Sequence, residues 1–315
     1  MNLFKKDKGG VTKEQVTPPQ GGKHHPDLQM VGNSAASKPS APQANIPQQN
    51  VMLQDVQYKI AIASGKGGVG KSTIATNLAL ALAQGAAKVG LMDADAYGPS
   101  IPTMMGINKQ PEVGQDRKLN PLASHNIKLM SIGFMVSEEQ AMIWRGPMLH
   151  SAIRQFLSDV NWGSLDYLII DLPPGTGDAA LSLTQAIPLT GAVIVTTPQD
   201  VALADVRRGV AMFEKLNVPI LGVVENMSYF ICDHCDKRTD IFKSDGGKRI
   251  SEKLGVPFLG AIPIDPEICT GGDLGVPIVA SHPESSQSEA FRNASNLLEA
   301  ELREHGAESE LEILG

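Results

Sequence analysis

The chain has 315 residues, 42% hydrophobic and 19% charged, and its 27 Lys and Arg against 34 Asp and Glu give a net charge of −7. This composition is ordinary for a protein with a hydrophobic core, and the lack of any apolar run of about 18 residues excludes a transmembrane helix. The acidic balance disfavours binding to nucleic acid and to anionic membranes, so we expect a protein that binds neither. Three cysteines do not make a disulfide scaffold, so we expect a cytoplasmic location.

Residues 1–56 differ in composition from the rest of the chain. They carry six prolines among Gln, Ser, Asn and Lys, and few large apolar side chains. Such a segment buries too little surface to offset its loss of conformational entropy, so we predict a disordered tail. No apolar stretch follows the basic residues of the N-terminus, so no secretory signal is predicted.

From residue 57 onward, short apolar runs alternate with helix-length segments. The runs are apolar at nearly every position, which is typical of strands covered on both faces. The predicted strands are residues 59–64, 88–93, 126–133, 166–171, 191–197, 219–226 and 257–263, and the predicted helices are residues 71–84, 148–157, 201–216, 246–254 and 285–303. The alternation predicts an α/β fold with a doubly wound, mainly parallel sheet over residues 57–302, followed by an acidic tail at 303–315.

A glycine-rich motif, GKGGVGKS, follows the first predicted strand and opens the first predicted helix. It matches G-x-x-x-x-G-K-[ST], in which backbone N–H groups surround phosphate oxygens at a helix N-terminus. Lys71 is expected to reach the β- and γ-phosphates, and the Ser72 hydroxyl to ligate Mg²⁺. The predicted phosphate-binding residues are Gly65, Lys66, Gly67, Gly68, Val69, Gly70, Lys71, Ser72 and Thr73.

Three carboxylates follow other predicted strands. Asp171 ends an apolar strand, as the acidic residue of a Walker B strand does, and is predicted to belong to the Mg²⁺ shell. The loop at 172–178 suits a sensor of the γ-phosphate. Asp93 and Asp95 come at the end of the strand at 88–93, where ligands bind in open parallel sheets. Their spacing leaves open which of them orients the attacking water and which caps a helix.

The pair Cys232 and Cys235 forms a C-x-x-C motif, which places two thiolates close enough to ligate one metal centre. Zinc and a 4Fe–4S cluster each require four ligands, which two subunits related by a two-fold axis would supply. The alternative interpretation is a redox pair or a structural zinc pair. His234 is interpreted as an exposed neighbour of the motif, and Cys269 as a lone thiol.

The second lysine of the phosphate loop, Lys66, carries a family resemblance. With it, the loop resembles the deviant Walker A group of P-loop ATPases, which includes MinD, ParA, the nitrogenase iron protein and the Mrp/ApbC carriers. The resemblance implies that Lys66 reaches across an ATP-linked homodimer to the partner's phosphates and that Asp95 lies near the attacking water. It also implies that Asp171 belongs to the Mg²⁺ shell and that Asn226 contacts adenine.

The segment ENMSYFICDHC at 225–235, with PFLGAIPIDP at 257–266 and DLGVPIV at 273–279, resembles the Mrp/ApbC/Nbp-type branch. This implies an ATP-hydrolysing iron–sulfur carrier that binds a 4Fe–4S cluster between two subunits through Cys232 and Cys235 and transfers it to apo-proteins. Two alternatives are a spatial-organisation ATPase like MinD or ParA, which the acidic C-terminus and net charge disfavour, and a zinc-bridged regulatory ATPase.

Overall fold

The fold is organised by strands that lie where the apolar runs predicted them, with short additional strands between. The computed structural model describes residues 52–96, 98–135, 146–175, 177–232 and 234–314. Its strands are β1 (Val56–Ala63), β2 (Val89–Asp93), β3 (Leu122–Ser124), β4 (Ile127–Ser131), β5 (Leu165–Asp171), β6 (Gly191–Thr196), β7 (Ile220–Glu225), β8 (Phe230–Ile231), β9 (Arg238–Thr239) and β10 (Phe258–Ala261).

Eight of these strands form one sheet in the order β10-β7-β6-β1-β5-β2-β4-β3. Every neighbouring pair is parallel except β3 and β4, which are antiparallel. The predicted α/β fold with a mainly parallel sheet is therefore confirmed. The strand predicted at 126–133 corresponds to β4 alone, and neither β3 nor the separate β8–β9 ribbon was predicted, because two or three residues are too short for a periodic pattern.

The helices flank the sheet. They are α1 (Lys71–Gln84), α2 (Ile101–Met104), α3 (Gly146–Ser158), α4 (Gly177–Ala186), α5 (Asp200–Lys215), α6 (Gly246–Leu254), α7 (Pro266–Leu274), α8 (Ile278–Ser281) and α9 (Ser286–Leu314). A short 3₁₀ turn at Ile132–Phe134 follows β4. Helices α1 and α9 pack together, while α5 and α6 pack against β6 and β7.

Two predicted boundaries are seen differently in the structure. Helix α9 continues to Leu314, so the segment predicted as an acidic tail at 303–315 extends a helix, which agrees with its four Glu and two Leu residues. Of the tail predicted at 1–56, residues 52–55 form a turn before β1 and Val56 begins that strand. The rest of that segment lies outside the described residues, and its disorder stays a prediction.

The core explains why the strand sequences are apolar throughout. Ile60, Ala61 and Ile62 of β1, which point alternately to the two faces of the sheet, are fully buried, as are Phe213 of α5 and Phe291 of α9. Side chains from both faces of the central strands are therefore removed from water, the condition that produces continuous rather than alternating apolar runs. Among the described helices, none is both long enough and apolar enough to span a membrane.

Parallel strands bring chemically active residues to one edge of the sheet. The phosphate loop follows β1, Asp93 and Asp171 are the last residues of β2 and β5, and Asn226 directly follows β7. Because parallel strands end on the same side of a sheet, these positions gather at its carboxyl edge, where α/β folds bind ligands. The fold thus accounts for the location of a site without further assumptions.

Candidate functional site

The phosphate loop owes its shape to glycine at two positions. Gly68 and Gly70 have φ values of 79° and 78°, in the left-handed region that favours glycine. Gly70 also lies so close to Asn226 that a Cβ atom would be 2.1 Å from the side-chain Nδ2 atom of Asn226. The Ser64 hydroxyl donates to the Lys66 carbonyl at 3.0 Å and steadies the start of the loop. These contacts fix the turn from β1 into α1.

Four predicted residues meet at the base of this loop. The buried Lys71 Nζ donates to Asp171 Oδ1 at 2.6 Å and lies 3.7 Å from Asp95 Oδ2. The Ser72 hydroxyl donates to Asp171 Oδ2 at 2.6 Å. Residues from α1, from the end of β5 and from the loop after β2 therefore form one polar cluster, which is the arrangement expected of a phosphate-transfer site.

The cluster holds more buried carboxyl groups than ammonium groups, and the pKa of two of these carboxyl groups is raised. Burial raises the pKa of Asp171, while Lys71 and the Ser72 hydroxyl oppose that rise. Burial, with the nearby Asp171 charge adding to it, raises the pKa of Asp93 to about 7, although the Ser131 hydroxyl favours its ionised form. One ammonium group thus faces several buried carboxyl groups, and a bound cation would lower the cost of ionising them.

The oxygen atoms at this position fit Mg²⁺. Ser72 Oγ and Asp171 Oδ2 are 2.6 Å apart, and both belong to the hard oxygen donors that Mg²⁺ prefers. A hydroxyl at the start of the helix, with a carboxylate behind it, is the donor set of P-loop NTPases. Ser72 and Asp171 are the residues that would hold Mg²⁺ here.

The structure separates the two aspartates whose roles the sequence left open. Asp93 is fully buried, and its carboxylate accepts hydrogen bonds from the Asp95 backbone N–H at 3.0 Å and from the Ser131 hydroxyl at 2.9 Å. It also accepts from the Ile101 backbone N–H at 3.4 Å, so it holds the loop that carries Asp95. Asp95 faces Lys71 and lines the cleft, whereas its role toward the attacking water stays a prediction.

The cleft above the loop has a volume of about 220 Å³. Sequence reasoning identified most of its lining, including Pro174 of the predicted sensor loop, but missed Ser64 directly after β1, Ser100 before α2 and Met104 at the end of α2. The lining residues are Ser64, Lys66, Gly67, Gly68, Val69, Gly70, Lys71, Ser72, Thr73, Asp95, Ser100, Met104 and Pro174. The predicted sensor loop at 172–178 is joined to the phosphate loop by a hydrogen bond from the Gly175 N–H to the Ser64 carbonyl at 2.9 Å, and its Thr176 lies outside the described residues.

Asn226 has a contact that the sequence did not predict. It is 6% exposed, its backbone N–H donates to Thr196 at 2.8 Å, and its side-chain Nδ2 donates to the Val69 carbonyl at 2.9 Å. Asn226 therefore ties the end of β7 to the phosphate loop. The contact with adenine implied by the family resemblance stays a prediction.

The two cysteines lie on the turn of the β8–β9 ribbon. The Cys232 carbonyl accepts hydrogen bonds from the backbone N–H groups of Cys235 at 3.3 Å and of Asp236 at 2.9 Å, and the Cys232 N–H donates to Lys237 at 3.1 Å. Cys235 is exposed and Cys232 half-buried, while the intervening Asp233 lies outside the described residues. The turn presents a pair of sulfur atoms near the surface.

One chain offers an incomplete set of metal ligands at this turn. Within the described ranges, no group of three or more His, Cys, Asp or Glu side chains could hold a metal ion. Cys269 lies on α7, exposed, with its Sγ atom 3.9 Å from Asp273 Oδ2. Large apolar side chains close in sequence to the cysteines are also exposed: Ile231, Ile241 and Phe242.

Comparison with known proteins gives consistent results. A family model of the ParA type, described as an NUBPL iron-transfer P-loop NTPase, matches residues 55–298. An iron–sulfur cluster carrier protein of Synechocystis is 54% identical over 258 residues, which cover 79% of this chain and 73% of the relative. An Arabidopsis thaliana protein, the mitochondrial iron–sulfur protein required for NADH dehydrogenase, is 51% identical over 257 residues, covering 80% and 82%.

A solved structure shares the fold described above. The nucleotide-binding protein of Archaeoglobus fulgidus in complex with ADP is 40% identical, with a TM-score of 0.66, and the match covers 76% of this chain and 93% of that one.

Proposed function

The chain belongs to the NUBPL iron-transfer family of ParA-type P-loop NTPases, and from this premise we propose that it is an ATP-dependent carrier of a 4Fe–4S cluster that it transfers to apo-proteins. The observation that carries the proposal is the exposed position of Cys235 beside Cys232, on a turn that lies outside the nucleotide cleft. Thiolates are the ligands that iron–sulfur clusters require.

The nucleotide half of the function is ATP hydrolysis. Lys71 binds the β- and γ-phosphates, and Ser72 and Asp171 would hold Mg²⁺, which would supply charge neutralisation at the phosphates. Asp95 orients the attacking water. The short distances from Lys71 to Asp171 and Asp95 support these roles, because they place cation and carboxylates around the same point of the cleft. Catalysis here depends on positioning and charge stabilisation.

The cluster half of the function requires a homodimer. Two thiolates per chain supply half of the four ligands of a 4Fe–4S cluster, so two copies joined at the β8–β9 turn complete the set. The exposed side chains of Ile231, Ile241 and Phe242, which are close in sequence to the cysteines, support this interface, because exposed apolar groups favour association. In the same dimer, Lys66 reaches the partner's phosphates.

The recipients are apo-proteins that need iron–sulfur clusters, and neither nucleic acid nor membrane takes part. The net charge of −7 supports this, since it opposes binding to phosphate backbones and anionic lipids. Cytoplasmic location stays a prediction. A MinD-like role in spatial organisation has no supporting feature among the described residues.

Anaerobic reconstitution with iron and sulfide tests the proposal. The full chain is expected to bind about four irons and four sulfides per two copies, because each copy contributes two thiolates. Iron, sulfide and zinc are counted after desalting, and a parallel sample without sulfide serves as the control. About one zinc per two copies with no sulfide would instead indicate the zinc-bridged regulatory ATPase.

A further inference from the structure

A short stretch of chain joins the phosphate loop to the cysteine turn. Asn226, which holds the Val69 carbonyl, and Cys232, the first cysteine of the motif, are six positions apart in the sequence. Few residues therefore separate a direct contact with the nucleotide cleft from the sulfur atoms of the proposed cluster site.

The contact at the loop end acts on one peptide group. The Val69 carbonyl, which accepts from Asn226 Nδ2 at 2.9 Å, and the Gly70 N–H belong to the same peptide plane. A peptide unit is rigid, so any tilt that adjusts the N–H to a phosphate also moves the carbonyl. Gly70 approaches the Asn226 amide too closely for any Cβ atom to fit between them. A movement of the Val69–Gly70 peptide must therefore also move the Asn226 side chain.

The chain makes a sharp turn directly after Asn226, at Met227 and Ser228, which we call the elbow. Met227 has a φ of 54°, in the left-handed region that non-glycine residues rarely occupy. The Ser228 hydroxyl donates to Glu225 Oε1 at 2.6 Å, and the Ser228 N–H donates to the Ile262 carbonyl at 2.9 Å. Surrounding contacts hold the elbow in this unfavourable conformation. We therefore expect it to pass on a displacement of Asn226 rather than to absorb it.

The elbow leads directly into the cysteine ribbon. The Ile264 N–H donates to the Tyr229 carbonyl at 2.7 Å, and Phe230 is bridged to Ile264 on one side and paired with Thr239 on the other. The next pair of the ribbon is Ile231 with Arg238, and Cys232 follows at once. The cysteine turn therefore follows directly on the segment that carries Asn226, and residues 262–264 hold that segment from the side.

We propose that Asn226 is the positioning residue that couples the two sites, so that nucleotide at the phosphate loop and metal at Cys232 and Cys235 change each other's affinity. The inference rests on the proposed function, because it assumes ligands at both sites. Thermodynamic linkage requires the effect to be reciprocal: the factor by which nucleotide changes metal affinity equals the factor by which metal changes nucleotide affinity.

The test measures this factor in both directions on the full chain. Co²⁺, followed by its thiolate absorption bands, is the probe of the cysteines, and Mg-ADP, followed by calorimetry, is the probe of the cleft. In the unaltered chain we expect the same change of at least about five-fold in each direction. In Asn226→Ala both ligands still bind, and both factors fall to about one. If Asn226→Ala binds nucleotide more weakly but keeps both coupling factors, Asn226 contributes only a binding contact and the inference is wrong.

Asn77→Ala is the matched control. Asn77 is also buried, its Nδ2 donates to the Thr73 carbonyl at 2.9 Å, and its Oδ1 accepts from the Val279 N–H at 3.2 Å, but it lies on α1, away from the elbow. This variant is expected to keep the coupling factor. A full factor in Asn226→Ala, or a factor of one in the unaltered chain with both ligands bound, overturns the inference.

A second variant covers the case in which Asn226→Ala does not bind nucleotide. Met227→Gly retains the contact between Asn226 and Val69 but gives the elbow a residue with far more backbone freedom. We expect a reduced factor with both ligands bound, and an undiminished factor overturns the inference. Absence of Co²⁺ binding in the unaltered chain would instead contradict the proposed metal role of the cysteines, so the two failures are distinguishable.

Discussion

Replacing Cys232 and Cys235 together by serine is expected to reduce bound iron and sulfide in the reconstituted chain from about four of each per two copies to background. A serine hydroxyl remains protonated and is a poor ligand for iron in a cluster, whereas thiolate sulfur is the preferred one. The cysteine turn is near the surface, with Cys235 exposed and Cys232 half-buried, so the fold should tolerate the change. Iron and sulfide analysis with the visible absorption spectrum measures the loss.

Cys269→Ser is the matched control, since Cys269 is an exposed cysteine on α7 rather than on the β8–β9 turn. It should leave the metal and sulfide counts unchanged, and Mg-ADP should bind all three proteins. Full iron and sulfide binding by the double variant would show that Cys232 and Cys235 are not the ligands of the cluster.

Lys71→Ala is expected to lower the rate of ATP hydrolysis on the order of 10²- to 10³-fold, the cost typical of losing one preorganised charge at a reacting centre. A second effect follows from the buried pair of Lys71 Nζ and Asp171 Oδ1, 2.6 Å apart. Removing the ammonium leaves a buried carboxyl group without its partner, so the free energy of unfolding should fall by about 3–5 kcal/mol. Phosphate release and urea denaturation without nucleotide measure the two effects.

The double variant Lys71→Ala with Asp171→Asn separates the effect on hydrolysis from the effect on stability. Asparagine removes the uncompensated charge, so stability should partly recover while hydrolysis stays lost. Lys66→Ala is the comparison within the loop. Lys66 is partly exposed, so stability should be kept, and hydrolysis should be lost if Lys66 acts on the partner's phosphates as we propose. Normal stability of the Lys71→Ala variant would show that the Lys71–Asp171 pair contributes little.

Local patterns were sufficient where the signal was continuous in sequence. The apolar runs before Gly65 and Asp171 predicted two central strands, and the glycine spacing predicted the phosphate loop that the structure forms at residues 65–72. Each of these features depends on residues close together in the chain. The carboxyl edge of the sheet then followed from the parallel arrangement.

Contacts between distant parts of the chain could not be predicted in this way. Asn226 holds Val69 across 157 positions, and Asp93 is distinguished from Asp95 by Ser131, 38 positions from Asp93. No periodicity records which loop a side chain reaches once the sheet has formed. No signal in the sequence indicated Ser131, because the strand predicted there runs on to residue 133, whereas β4 ends at Ser131, opposite Asp93.

Cluster transfer tests the central claim most directly. The reconstituted chain is mixed anaerobically with the apo-form of an enzyme whose activity requires a 4Fe–4S cluster, in the presence of Mg-ATP and an iron chelator. A carrier is expected to restore activity despite the chelator, because the cluster passes between proteins without release of iron, and the Cys232→Ser, Cys235→Ser chain should restore none. Activation that the chelator abolishes, or that free iron and sulfide reproduce under the same conditions, would contradict the carrier function.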